Sequence, residues 1–188
     1  KDGTVLWRRE VPRPRLERYQ RTNSPASPSP VADEQGVYVF FGDYGVLAYK
    51  HDGTERWRHP LGPFNNVNGH GSSPMLAGGR VVMLCDQDTN SYLIALDRRS
   101  GKTAWRVERP EVVRSYTTPA VFGDQLIIPG SYYLTSYSAV TGEKLWWIGG
   151  MSWQPKSTPI VDGDTIYAHW WEGGGEAETP TETPEYAE

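Results

Sequence analysis

Four tryptophans, Trp7, Trp57, Trp105 and Trp146, follow one another at spacings of 50, 48 and 41 residues, and each closes a copy of one short pattern. Asp2-Gly3-Thr4-Val5-Leu6-Trp7-Arg8 matches Asp52-Gly53-Thr54-Glu55-Arg56-Trp57-Arg58. Both match Ser100-Gly101-Lys102-Thr103-Ala104-Trp105-Arg106 and Thr141-Gly142-Glu143-Lys144-Leu145-Trp146-Trp147. A second mark runs out of phase with the first: Ser29-Pro30, Ser73-Pro74, Thr118-Pro119 and Thr158-Pro159, with prolines 44, 45 and 40 residues apart. Two independent marks on one period define a tandem array, and units of this size must bury their apolar faces by stacking on one another.

Each unit reads as four short strands. In the second they fall at about 74–77, 80–85, 92–97 and 102–107, separated by a Gly78-Gly79 turn, a loop at 86–91 and a turn at 98–101. Val, Ile, Leu and Tyr fill the strands, and Gly, Asp and Asn supply the turns. No window of 11 or more residues before the tail shows helical periodicity with caps. A four-stranded unit of this length in tandem is the signature of a β-propeller blade. The expected architecture is all-β, a partial ring over residues 1–171 made of antiparallel four-stranded blades. Residues 2–8 give the last strand of one blade, about 28–58, 72–107 and 117–148 give three whole blades, and about 157–171 give the first two strands of another. Pairing of 157–171 with 2–8, to close a four-blade ring short of one strand, is the alternative. The repeated indoles Trp7, Trp57, Trp105 and Trp146 are expected to be structural and to lie between neighbouring blades.

Composition excludes several classes. The densest apolar run is Val37-Tyr38-Val39-Phe40-Phe41, far short of a membrane-spanning helix. Cys85 is the sole cysteine, so internal disulfides and Cys-rich metal clusters are out. Residues 1–171 carry 19 Lys and Arg against 17 Asp and Glu, too balanced for a nucleic-acid binder. Lys1 in place of Met points to a processed chain or an excised piece, with any targeting peptide out of view. Residues 172–188, rich in Gly, Thr, Pro and Glu, read as an acidic linker. Thr183-Pro184-Glu185 at its end resembles a helix start, the threshold of a helical insertion.

Ala95-Leu96-Asp97-Arg98-Arg99-Ser100-Gly101-Lys102-Thr103-Ala104-Trp105 resembles the tryptophan-docking repeat of the PQQ-binding-like, or quinoprotein alcohol dehydrogenase-like, β-propellers, which reads Ala, x, Asp, x, x, Thr, Gly, three residues, Trp. Residues 136–146 keep the spacing with Ser136 and Ser138 at the Ala and Asp positions, and 48–57 is one residue shorter. The resemblance covers about 170 residues and implies a seven- or eight-bladed ring in a periplasmic or extracellular protein. It also implies one of two roles. Members such as the propeller lipoprotein of the outer-membrane barrel assembly machinery are interaction platforms. Quinoprotein dehydrogenases hold PQQ between a tryptophan and, in many members, a disulfide of adjacent cysteines, beside calcium bound by Glu, Asn and Asp. Cys85 has no partner for such a disulfide, and no Glu-Asn-Asp set can be assigned.

In propellers the loops between second and third strands share a face with the connections between blades, and sites gather there. The connection 9–27 holds Arg9, Arg13, Arg15, Arg18 and Arg21 against Glu10 and Glu17. The next is rich in amides, and Asn65, Asn66, Asn68 and His70 are candidates for lining a polar pocket. Asp86, Asp88 and Asn90 alternate as calcium-loop oxygens do, without the Gly and later Glu of an EF-hand. Trp153, Lys156, His169 and Trp170 belong to neither repeat mark and are candidates for stacking on a planar ligand, a sugar or a partner. No catalytic residue is assigned. The reading is a non-catalytic binding or scaffold module for a protein partner or a small polar ligand, within a ring completed by further blades. Part of a PQQ- and calcium-dependent dehydrogenase is the alternative, and a sugar- or peptide-binding sensor the third.

Overall fold

The computed structural model of the chain describes residues 2–12 and 18–171; the acidic linker at 172–188, its helix start, Arg13, Arg15 and Glu17 lie outside the described residues. Three four-stranded antiparallel meanders and one two-stranded sheet follow one another. Blade one comprises β1 (Val31–Asp33), β2 (Gly36–Phe40), β3 (Val46–Tyr49) and β4 (Glu55–His59). Blade two comprises β5 (Met75–Ala77), β6 (Arg80–Cys85), β7 (Tyr92–Asp97) and β8 (Thr103–Glu108). Blade three comprises β9 (Ala120–Phe122), β10 (Gln125–Pro129), β11 (Leu134–Ser138) and β12 (Lys144–Ile148), and β13 (Ile160–Asp162) with β14 (Thr165–Tyr167) begins blade four. The chain is a partial β-propeller.

The core is the pair of seams between blades. Tyr38, Phe40, Val46, Ala48 and Trp57 of blade one meet Val81, Met83, Cys85, Tyr92, Ile94 and Leu96 of blade two. The alternate residues Val82, Leu84, Leu93 and Ala95 meet Leu126, Ile128, Tyr137 and Ala139 of blade three. Blade two is covered on both faces, which explains why β6 and β7 read as unbroken apolar runs rather than as alternation. Each fully buried Val or Leu there contributes about 1.5–3 kcal/mol.

Both repeat marks lie at these seams. An ideal Cβ on Gly53 would come within 2.6 Å of the Trp7 ring, on Gly101 within 2.6 Å of Trp57, and on Gly142 within 2.7 Å of Trp105. These glycines also hold φ of +81°, +69° and +79° in the turns between third and fourth strands of the following blade. Trp7 Nε1–H donates to His51 O at 2.8 Å and Trp57 Nε1–H to Arg98 O at 2.9 Å. A bulge precedes each tryptophan of the whole blades, between Ala48 and Tyr49, Ala95 and Leu96, and Ser136 and Tyr137 on the partner strand. The added local twist sets the angle at which the indole leaves the sheet. The Ser/Thr-Pro mark forms a ladder across the first strands: Ser29 N–H donates to Ser73 Oγ and Ser73 N–H to Thr118 Oγ1, both at 2.9 Å. Ser72 Oγ–H donates to Thr117 O at 2.6 Å and Thr117 Oγ1–H to Ser157 O at 2.8 Å.

Two expectations are corrected at the ends of the array. Residues 2–8 bring Trp7 to its seam but form no strand, because among the described residues there is no third strand for them to pair with. β13 and β14 pair with each other and not with 2–8, so the four-blade closure does not form. Trp146 also differs from the other indoles: its Nε1–H donates to Gln125 Oε1 within its own blade at 2.8 Å.

Gly101→Ala is expected to lower stability by about 2 kcal/mol or more, since it adds a clash with Trp57 to the left-handed backbone cost. Gly79→Ala, with φ of +72° but nothing within 4 Å of its Cβ, should cost only about 1 kcal/mol. Urea unfolding midpoints of the two variants check the difference.

Candidate functional site

The blade connections and the loops between second and third strands are bound to each other on one face. Phe64 N–H donates to Asp43 Oδ1 at 2.7 Å, Asp88 N–H to Asn65 O at 2.8 Å, Arg109 N–H to Ser91 O at 2.8 Å, and Met151 N–H to Tyr132 O at 3.2 Å.

The amide-rich connection is committed to that lattice rather than open as a polar pocket. Asn65 N–H donates to Gln87 Oε1 at 2.8 Å and its Nδ2 to Thr89 Oγ1 at 3.3 Å. Asn66 is buried and its Nδ2 points to Asp86 O at 3.5 Å. Asn68 Nδ2 donates to Tyr116 OH at 2.5 Å, and Asn23 Nδ2 donates to Asn68 O at 2.7 Å. These amides join three successive connections. His70 is 5% exposed, with Phe64 at 4.0 Å and Phe40 at 5.3 Å from its ring, and its Nε2 has no hydrogen-bond partner. Burial lowers its pKa to about 4, so it is a neutral core imidazole at pH 7.

The suggested calcium oxygens are engaged as well. Asp86 is fully buried and receives Arg109 Nε–H on Oδ1 at 2.9 Å and Nη2–H on Oδ2 at 3.2 Å. Arg109 Nη1–H continues to Tyr137 OH of blade three at 2.9 Å. Burial raises the Asp86 carboxyl while Arg109 pulls it down. Burial opposes the Arg109 charge, but the facing carboxylate prevails and holds the guanidinium above its ordinary value. Asp88 is paired with Arg114 and accepts Val67 N–H at 3.2 Å. Asn90 sits exposed with φ of 60° and gives its carbonyl to Gln87 Nε2 at 3.0 Å. The three residues are therefore split among separate partners. Among the described residues no group of three or more His, Cys, Asp or Glu side chains is placed to hold a metal ion.

The fourth connection is more open. Gln154 and Trp171 form an antiparallel bridge that ties the connection to the end of β14. Lys156 Nζ lies 3.5 Å from the centroid of Trp171, which is 42% exposed. Trp153 is half-buried beneath Arg114 at 5.7 Å, with its indole N–H unpaired. Trp170 is turned inward, its Nε1–H donating to Gly130 O at 3.1 Å. His169 is exposed, with Nδ1 3.4 Å from Ser157 Oγ. Tyr132 beside them holds φ of 65°, a conformation costly for an aromatic residue. Of the sequence candidates, Lys156 lies over Trp171, Trp153 of the same connection lies against Arg114, Trp170 is turned to Gly130, and Asn65, Asn66, Asn68 and His70 belong to the connection between blades one and two. Sequence reading missed Arg109, Tyr116 and Asn23, whose partners are set by tertiary placement, and gave Trp171 less weight than its exposure warrants.

PQQ in the manner of the dehydrogenases fits these residues poorly. Cys85 is fully buried in the seam between blades one and two, where burial pushes its thiol far up, and it has no second cysteine.

Tryptophan-marked blades, a hydroxyl ladder and a loop face bound by side-chain amides define a repeat propeller of the PQQ-like class. The chain belongs to the family described as outer membrane protein assembly factor BamB, which matches it over residues 1–175. It is 28% identical over 169 residues to the outer membrane protein assembly factor BamB of Alkalilimnicola ehrlichii, covering 88% of this chain and 41% of that protein. The crystal structure of BamB from Moraxella catarrhalis superposes with a TM-score of 0.60 at 18% identity, over 76% of this chain and 46% of the other. Quinohemoprotein alcohol dehydrogenase from Comamonas testosteroni superposes with a TM-score of 0.50 at 25% identity, over 65% and 21%. The chain thus spans less than half the length of each of these relatives.

Arg109→Leu should destabilise the protein by about 3–5 kcal/mol, because it leaves the Asp86 carboxylate buried without its partner. Replacing both, as Asp86→Leu with Arg109→Met, should recover most of that loss, and urea unfolding of the three variants tests the pair.

Proposed function

We propose that the chain forms part of a non-catalytic propeller platform in the periplasm, whose loop face binds a protein partner through the surface of Trp171, Lys156 and Trp153. The observation that carries this reading is the half-open Trp171 ring with the Lys156 ammonium above it, on a face whose Asn65, Asn66, Asn68, Asp86 and Asp88 side chains are already engaged. An exposed indole with an adjacent cation gives a binding surface both apolar area and a directional charge. Membership in the BamB family supports a binding or scaffold role, and the relatives' printed name, assembly factor, is in keeping with it. No helix among the described residues is long and apolar enough to cross a membrane.

A PQQ-dependent dehydrogenase is the second reading, favoured by the fold shared with quinohemoprotein alcohol dehydrogenase. The buried lone Cys85 and the divided Asp86, Asp88 and Asn90 weigh against it.

A photo-crosslinking amino acid at position 171 of the full-length protein, activated in intact cells, should give one discrete adduct with an envelope protein. Lys156→Glu should lower its yield roughly tenfold. The same probe at Asp52, on the opposite face, should give none. Identical adducts from both positions, or none from 171, would remove the patch as the binding surface.

A further inference from the structure

His70 is an unusual centre for the loop lattice. It lies at the middle of the connection between blades one and two, 5% exposed, against Phe64 and Phe40, with no hydrogen-bond partner on Nε2. Its own carbonyl accepts from Asn23 Nδ2 at 3.3 Å. The glycines on either side leave no slack: a Cβ on Gly69 would meet Tyr19 at 2.7 Å, and one on Gly71 would meet Tyr116 at 2.9 Å. The connection therefore touches the preceding one through Asn23 and Tyr19, and the following one through Tyr116.

We propose that His70 is an acid-sensitive latch, whose protonation releases the connection at 64–72 and with it the hydrogen bonds that hold three neighbouring connections on the loop face in one arrangement. The inference concerns the regulation of the face assigned to binding above and rests on that reading for its biological sense, though not for its test.

The physical case begins with what surrounds the ring. On the segments packed against it the titratable groups are Tyr19, Tyr116, Asp43 beside Phe64, and Asp88 beside Val67. Arg9, Arg18 and Arg21 are cations of the first connection among the described residues. Asp43 Oδ1 accepts Phe64 N–H, and Asp88 is paired with Arg114 and accepts Val67 N–H. None of them offsets the charge on His70, and burial alone lowers its pKa to about 4. An imidazolium held between two phenyl rings with no acceptor on Nε2 is disfavoured there, and outward movement of the connection would bring that nitrogen to water. The direction follows from the lowered pKa: the closed arrangement has its full stability above about 6.5 and loses it as pH falls toward 4. The difference between those values sets a ceiling of roughly 300-fold on the change in opening equilibrium. Ordinary carboxylates titrate below most of this window; burial raises Asp86, whose carbonyl faces Asn66 Nδ2, and the His70 variants separate its titration from that of the ring.

Amide hydrogen exchange of the full chain at pH 7 and pH 4.5 tests the latch, read as protection factors. Gly69 and Asp88 amides, which donate to Asn66 O and Asn65 O, should lose protection by about one to two orders of magnitude. Asp97 and Ala139 amides, in turns on the opposite face, should keep theirs. His70→Leu and His70→Gln should each abolish the selective loss, the second guarding against a packing defect in the first. Unchanged protection at Gly69, an equal loss at all four amides, or the same selective loss in both variants would overturn the proposal. The readout needs no partner, so its failure leaves the Trp171 surface untouched, and failure of the crosslinking leaves the latch untouched.

Discussion

An indole lying flat on a glycine that no other residue could replace is the contact on which the array depends. The glycine does two jobs at once. It holds the left-handed backbone that the turn requires, and it leaves room for an indole that a Cβ would meet at 2.6 Å. Because tryptophan and glycine come from consecutive blades, each contact fixes the angle between two sheets that share no backbone hydrogen bonds. The apolar seams supply the bulk of the free energy, but they are non-directional. The Trp–Gly contact, the bulge before each indole and the hydroxyl ladder of Ser29, Ser73 and Thr118 select one arrangement from the many that would bury the same area.

Rigid seams leave the loop face to be divided between structure and recognition. Around the first two seams the polar side chains are used up: Asn23, Asn65, Asn66 and Asn68 link loop to loop, and Asp86 with Arg109 and Tyr137 spans blades two and three in a fully buried chain. A buried pair of this kind is weak evidence for stability in itself, because desolvation cancels much of the attraction, but it fixes where the connection can sit. Only past the third blade does the pattern change. Trp171 and Lys156 are left on the surface, supported by the Gln154 bridge and by Trp170 turned inward.

The fold was legible because its determinants are local and repeated. Trp57 and Gly101, or Ser73 and Pro74, carry the same meaning in each copy, and the strands between them are short enough to be bounded by their turns. The ends were less legible. Residues 2–8 carry the full repeat mark yet form no strand, since strand formation depends on a neighbour and not on the segment's own composition. The candidate site was only half legible. Asn-rich and Asp-rich stretches look alike whether their side chains bind a ligand or satisfy neighbouring loops, and the choice is made by residues such as Tyr116 and Arg109, 48 and 23 positions away from their respective partners Asn68 and Asp86. Nothing in the spacing of His70 shows that two phenyl rings enclose it. Trp153, Lys156 and Trp170 could be picked out because they break the repeat, and a departure from a repeat is visible where a conforming residue is not.

The proposed function makes this propeller a surface for a partner rather than a holder of a redox cofactor. Its most direct test is a calorimetric titration of the full-length protein with PQQ in the presence of calcium, followed by the absorbance spectrum of the recovered protein. The account predicts no saturable heat and no retained quinone absorbance. Stoichiometric, calcium-dependent uptake of PQQ would contradict it and would move the functional centre to the propeller axis.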